Sequence, residues 1–335
     1  MSHGTVSRRE LLKWGLFSAS GVLAWKNGLN PLVGNAHAAI PTGSPLSPLF
    51  GAQPLTTQDG RPVRFYDDLL KGKSVVINVI YTSCTDECPL ETARMAEVQR
   101  LLGARMGRDI QFYSISIDPE HDTPAAMKSY AKKFGVGPGW LFLTGKKEEI
   151  AALTKKLGLS RINDLANRDG HASSLMLGNE PSVQWMRNSA VDNPRFLAAS
   201  MSTFFGWPDL ASAPSYAQAR PVDMSRAQML FQSRCASCHS VGGGDRIGLD
   251  LQGVVQRREP VWLSRFIREP DKVRAEGDPT ALELFQKHKQ VRMPNLRLGD
   301  EEVASLITYL DRGASTPLSS VVDDGHGAAH AHHKH

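Results

Sequence analysis

The four cysteines of this 335-residue chain fall into two close pairs. Cys84 and Cys88 are four positions apart, and Cys235 and Cys238 are three positions apart. A scattered set of cysteines would indicate disulfides that staple loops, whereas close pairs indicate redox chemistry or a bound metal or cofactor. Each pair therefore needs its own chemical explanation.

The second pair is part of a Cys-Ala-Ser-Cys-His sequence that ends at His239. This spacing lets both thiols bond covalently to one haem while the following imidazole binds the iron. A structural zinc half-site is the alternative, but no second Cys/His pair at zinc spacing follows in this part of the sequence. We therefore predict one covalent haem c, bound through Cys235, Cys238 and His239.

A sixth ligand for the haem iron is expected further along the chain. Residues 223–314 resemble a class I cytochrome c, a family in which the methionine of a Met-Pro segment is the axial ligand. In this sequence Met293 precedes Pro294 just before the last amphipathic stretch. His288 is the rival ligand, but it lies among two lysines and a glutamine, which indicates a solvated face. We predict Met293 as the axial ligand and electron transfer as the role of the haem.

The first pair lies between an apolar, β-rich run at 74–81 and a stretch with helical periodicity that begins at Pro89. Helical spacing at this junction would bring both sulfurs to one side. Because a helix N-terminus lowers the pKa of a thiol, we expect Cys84 and Cys88 to be reactive thiolates. They can form a disulfide or bind one soft metal ion such as copper.

Several motifs within residues 45–204 resemble the Sco/SenC family of thioredoxin-fold copper proteins. They are Cys-x-x-x-Cys-Pro, Ser116-Ile117-Asp118-Pro119-Glu120-His121-Asp122-Thr123-Pro124, Gly139-Trp140 and Asp169-Gly170-His171-Ala172-Ser173. The resemblance implies that Cys84, Cys88 and His171 bind a copper ion, and that the two cysteines are redox-active thiols. It also implies a partner, cytochrome c oxidase subunit II or a similar copper-accepting protein. From the residues alone, the favoured interpretation of His171 is a loop histidine hydrogen-bonded to the backbone, and His121 is expected to be a surface residue.

The pattern of residues 45–204 alternates between extended and helical stretches, which predicts an α/β thioredoxin-like domain with a mixed sheet. Two extended segments near its end are separated by Gly178 and Asn179, which we expect to form a turn.

The remainder of the chain has a different character. Residues 205–222 are rich in Pro, Ala and Ser and are expected to form a linker. Residues 223–314 contain helix-like stretches and no convincing strand, which predicts a small all-α cytochrome c domain. Residues 315–335 are rich in histidine and are expected to be disordered, with metal capture as an open alternative.

Residues 1–38 resemble a twin-arginine export signal, with Arg8 and Arg9 before a weakly apolar stretch and a cleavage site after Ala38. A Sec signal or a first helix of the mature fold are the alternatives. The apolar stretch is too short to span a membrane, so we expect a periplasmic protein with no stable membrane span after signal removal. Without the leader the chain has 35 basic and 33 acidic side chains, and this near-neutral charge argues against a nucleic-acid partner.

These features predict an exported copper-binding protein for assembly of the oxidase copper site, by copper delivery or thiol-disulfide exchange, with a fused haem that exchanges electrons with a redox partner protein. One alternative is a haem-linked thiol-disulfide oxidoreductase that uses Cys84 as nucleophile and Cys88 as resolving thiol. Another is an electron carrier whose Sco-like domain serves for docking.

Overall fold

A computed structural model describes residues 44–85, 87–159, 173–207 and 224–312. The predicted export signal, most of the predicted linker, the histidine-rich tail and His171 lie outside the described residues. All of the described residues belong to one compact unit.

Among these residues, seven strands form one mixed sheet with the order β2-β1-β5-β4-β3-β6-β7. The strands are β1 (Pro54–Thr57), β2 (Pro62–Arg64), β3 (Ser74–Ile80), β4 (Gln111–Ser116), β5 (Trp140–Thr144), β6 (Ser174–Asn179) and β7 (Gln184–Ser189). Strands β3, β4 and β5 are parallel, and the other pairs are antiparallel. Strand β3 is buried on both faces, as expected for a run of Val and Ile in a central strand.

Helices cover both faces of this sheet. They are α1 (Leu46–Phe50), a π-helix (Phe65–Leu70), α2 (Cys88–Leu102), α3 (Pro124–Lys133), α4 (Lys147–Lys156) and α5 (Pro194–Phe205). Helix α3 begins at Pro124, because the Thr123 side chain accepts a hydrogen bond from the Ala126 amide and Pro124 fits the first turn. The prediction of an α/β thioredoxin-like domain is confirmed.

The predicted turn at Gly178 and Asn179 is wrong, because both residues lie in strand β6. The chain turns at residues 180–183 instead. The Trp185 ring on β7 lies against Gly178, and a Cβ there would come within 2.6 Å of the ring. Glycine at this position thus allows the close approach of an aromatic ring rather than a turn.

Residues 224–312 form a small helical domain, as predicted. Its helices are α6 (Arg226–Arg234), α7 (Val254–Arg257), α8 (Pro260–Arg268), α9 (Pro270–Ala275), α10 (Pro279–Lys287) and α11 (Asp300–Asp311). The first and last helices share a core in which Phe231 packs with apolar side chains of α11, and its ring lies 5.4 Å from that of Tyr309. Within the described ranges, no helix combines the length and the hydropathy that a membrane span needs.

Candidate functional site

The first cysteine pair lies at the carboxyl end of the central strand. Cys84 is in the loop after β3, and Cys88 is the first residue of α2. Both side chains are buried, with 2% and 0% of their surface exposed, and their thiols are hydrogen-bonded to each other. The predicted thiol pair is therefore brought together, in a position from which the two sulfurs can form a disulfide or bind one ion.

The expectation of reactive thiolates is wrong for Cys88. Burial raises the pKa of its thiol well above the usual value, and the hydrogen bond and charge of Cys84 raise it further. Glu91 acts in the same direction, and the backbone of Tyr81 opposes it only in part. The effect of desolvation on the pKa outweighs that of the helix N-terminus. Cys88 is therefore protonated at neutral pH in this conformation.

The carboxylate of Asp122 fixes the loop that carries Cys84. It accepts hydrogen bonds from the Thr82 amide (3.1 Å) and hydroxyl and from the Ser116 hydroxyl (2.6 Å). The long motif of the Sco/SenC resemblance thus positions the thiol loop. His121 in the same motif lies 2.9 Å from the Asp118 carboxylate, and its side chain is 69% exposed, which agrees with its interpretation as a surface residue.

Within the parts of the chain that the structure describes, no group of three or more His, Cys, Asp or Glu side chains could hold a metal ion. His171 lies outside these parts. The described residues therefore supply the two sulfurs of the predicted copper site, and the third ligand remains a prediction.

The helical domain contains a cleft with about 840 Å³ of empty volume, part of it open to solvent. All four predicted haem residues line it, together with apolar side chains: Cys235, Cys238, His239, Phe266, Leu284 and Met293. An apolar cleft with a few polar side chains is typical of cofactor sites.

The His239 ring has a hydrogen bond that leaves Nε2 available to a ligand. Its Nδ1 lies 2.8 Å from the Leu249 carbonyl oxygen, which can only accept, so Nδ1 carries the proton and Nε2 has a free lone pair. Burial lowers the pKa of His239 and keeps the ring neutral. Gly248 makes room for the ring, since a Cβ there would lie 2.5 Å from the ring carbon Cε1.

Asp250 holds the loop that follows the Cys-x-x-Cys-His sequence. Burial alone would raise the pKa of its carboxyl, but hydrogen bonds outweigh burial and lower the pKa to about 2. The donors are the amides of Gln252, Gly242 and Gly244 and the hydroxyl of Ser240. This network fixes the backbone that carries the Leu249 carbonyl group.

The interpretation of His288 as a residue on a solvated face is wrong. Its ring lines the same cleft as Met293, and its Nε2 is buried without a hydrogen-bond partner among the described residues. The chain bends after it because Lys289 and Gln290 both have φ 55°. The described cleft therefore contains two side chains besides His239 that can bind iron.

Two arginines that line the cleft interact electrostatically. Burial lowers the pKa of Arg274, and the charge of Arg292 lowers it further, while Asp271 offsets part of the effect. Both arginines line the cleft. Adjacent cations in a desolvated cleft suit carboxylates such as the two propionates of haem. Together with the His239 geometry, this arrangement fits haem.

The segment that carries Met293 contacts the thiol loop directly. Nη1 of Arg292 donates to the Ser83 carbonyl oxygen (2.7 Å), and the Asn295 amide donates to the Thr85 carbonyl oxygen (3.0 Å). The two hydrogen bonds flank Met293 on both sides. The sequence contains no signal for this contact, because any residue offers a backbone carbonyl group.

Helix α2 also contacts the haem-binding region. Leu90, two residues after Cys88, lines the cleft. The buried Arg94 donates through Nη2 to the Ser233 carbonyl oxygen, and Cys238 packs against the core that contains both thiols. Helix α2, which begins at Cys88 of the thiol pair, thus also forms part of the wall of the cleft.

These features define a two-domain protein in which a thioredoxin-like domain with a buried thiol pair contacts a small helical domain with a cleft suited to haem. The family model SCO1/SenC matches residues 45–184, and the family model Cytochrome c matches residues 224–313. The chain thus contains an SCO1/SenC domain followed by a cytochrome c domain, and the second domain implies haem.

Among its relatives are the SCO1 protein homolog of Bacillus subtilis, 35% identical over 99 residues, and the mitochondrial SCO1 homolog of Mus musculus, 36% identical over 131 residues. The alignments cover 29% and 39% of this chain and 50% and 43% of these relatives, so the chain spans about half of their length or less. The copper-bound structure of Bradyrhizobium japonicum ScoI is 30% identical, with a TM-score of 0.37, over 45% of this chain and 96% of that one.

Proposed function

We propose that this protein is a periplasmic, exported Sco-like copper protein for assembly of the copper site of a cytochrome c oxidase, and that its fused haem exchanges electrons with the thiol pair. The observation that carries the proposal is the contact between the Met293 segment and the loop of Cys84. It connects the two candidate centres through protein atoms within one chain.

Copper is the cargo of this function. Cys84 and Cys88 supply two soft sulfur ligands, and His171 supplies an imidazole, a set that suits Cu(I) and tolerates Cu(II). The acceptor is oxidase subunit II or a protein with a similar copper site. Because Cys88 is protonated when buried, binding of copper releases its proton to solvent.

In the second domain, Cys235 and Cys238 would hold one haem c covalently, and His239 and Met293 would bind its iron. The haem supplies one-electron chemistry when bound. Reduction of Cu(II) at the thiol pair consumes one electron, and reduction of a Cys84–Cys88 disulfide consumes two electrons and two protons. A separate redox partner protein supplies or removes these electrons.

A thiol-disulfide oxidoreductase is the second candidate function, favoured by the hydrogen bond between the two thiols. Cys84 is then the nucleophile, and Cys88, which is fully buried, is the resolving thiol. In this case His171 has no ligand role.

Copper stoichiometry and Cu(I) affinity of the reduced, haem-containing protein test the proposal, by competition with a chromophoric chelator. We expect one tight copper, lost in Cys84→Ser/Cys88→Ser and weakened in His171→Ala, whereas the exposed His121→Ala control retains it. No tight copper in the native protein, with disulfide exchange unaffected by His171→Ala, would establish the oxidoreductase instead. Stopped-flow spectra without haem oxidation on addition of Cu(II) would refute electron exchange between the centres.

A further inference from the structure

Met293 is held between two contacts with the other domain. Arg292 bonds to the Ser83 carbonyl group, one residue before Cys84, and Asn295 bonds to that of Thr85, one residue after it. Any movement of the Cys84 loop is therefore transmitted to both flanks of Met293.

His288 is a second nitrogen or sulfur donor in the same cleft. Its Nε2 is buried and has no hydrogen-bond partner among the described residues. A buried polar atom without a partner is unfavourable, so it indicates a ligand that is bound there in some state of the protein. A neutral imidazole nitrogen is a common ligand of haem iron.

The connection between His288 and Met293 is strained. Lys289 and Gln290 both have φ 55°, in the left-handed region, which is unfavourable for residues other than glycine. Such strain persists only where surrounding contacts impose it. Release of the Met293 flanks would allow these two residues to relax and the segment to move.

We propose that Met293 and His288 are alternative axial ligands of the haem iron, and that docking of the Met293 segment on the Cys84 loop selects Met293. The inference rests on the haem predicted in the proposed function. In the exchange, the iron–sulfur bond to Met293 breaks and an iron–nitrogen bond to His288 forms, with no electron or proton transferred. Because methionine ligation raises the reduction potential, undocking lowers it, and the thiol loop then sets the direction of electron flow.

Ligand identity is tested in the full-length ferric protein by electron paramagnetic resonance and by the long-wavelength absorption band of methionine-bound iron. We expect the native protein and His288→Ala to show methionine ligation. Met293→Ala is expected to remain low-spin with two nitrogen ligands, and Met293→Ala/His288→Ala to become high-spin and to recover low spin when imidazole is added. A high-spin Met293→Ala protein, or a double variant that stays low-spin, would overturn the proposal.

The role of docking is tested with Arg292→Ala, which removes the bond to Ser83. We expect a loss of most of the methionine band and a lower reduction potential. Arg265→Ala is the matched control, because it removes an exposed guanidinium group of the same domain that pairs with Glu276 and does not line the cleft, and it is expected to keep methionine ligation. Equal ligation in the two variants would refute selection by docking. Absence of covalent haem from the native protein, measured as pyridine haemochrome, would refute the proposed function itself.

Discussion

Replacement of Gly248 by alanine is expected to displace the His239 ring from its position in the cleft. The added Cβ would lie 2.5 Å from Cε1, 2.9 Å from Nδ1 and 3.0 Å from Nε2. Carbon atoms in contact are normally about 3.5–4.0 Å apart, so the overlap is about 1 Å. The backbone of Gly248 does not require glycine, so the effect is steric.

The ring cannot move freely, because the Leu249 carbonyl group holds Nδ1 at 2.8 Å. Overpacking costs about 1–3 kcal/mol, and loss of this hydrogen bond adds about 1 kcal/mol. A total of about 2–4 kcal/mol corresponds to a decrease in Tm of about 10 °C or more for a domain of this size. Because this substitution leaves the two cysteines of the proposed covalent attachment unchanged, we expect a change of the haem spin state rather than a loss of haem.

Thermal unfolding followed in the haem absorption band, together with the ferric spectrum, measures both effects. Gly299→Ala is the matched control, because the nearest atom to its Cβ would be 3.8 Å away and its φ is −75°. A Gly248→Ala protein with the Tm and spectrum of the control would refute the assignment of His239 as an axial ligand held by this loop.

Three further predictions concern other parts of the structure. Because the pKa of Asp250 is lowered to about 2, its carboxylate stabilises the fold above the usual pKa near 3.8, and this stability is lost as the pH falls through 2. Asp250→Asn should therefore lower the free energy of unfolding by about 1 kcal/mol at pH 7, after allowance for solvent screening, and change it little at pH 2. Denaturant titrations at the two pH values measure this difference. Gly178→Ala should cost about 1–3 kcal/mol and alter the fluorescence of Trp185, whereas an unchanged midpoint and spectrum would contradict the ring contact. Arg94→Ala removes the hydrogen bond to the Ser233 carbonyl group. Limited proteolysis should therefore cleave the chain between the domains faster than in the native protein. An unchanged rate would mean that this hydrogen bond does not hold the two domains together.

Much of the fold follows from local patterns in the sequence. The run of Val and Ile in β3 predicts a buried strand, and Thr123 with Pro124 predicts the start of α3. The Cys-x-x-Cys-His spacing predicts that Cys235, Cys238 and His239 lie together, since covalent attachment of haem needs that spacing. All three residues line the cleft. Each of these signals lies within a short stretch of sequence.

Other features depend on tertiary contacts that no local pattern encodes. The pKa of Cys88 is raised because the fold buries the thiol, although its position at a helix N-terminus favours the opposite shift. The ring of His288 lines the cleft, and Lys289 and Gln290 after it adopt positive φ, which their side chains do not predict. The contact between the domains uses the backbone carbonyl groups of Ser83 and Thr85, and these are chemically the same at every residue.

The position of Leu90 in the wall of the haem cleft has a consequence for biogenesis. Cys238 packs against the core of the thioredoxin-like domain, so a docked helix α2 restricts the access of a haem-attaching enzyme to that thiol. We therefore expect haem attachment to precede closure of the two domains. A chain in which the two domains have already closed is therefore expected to be a poor substrate for that enzyme.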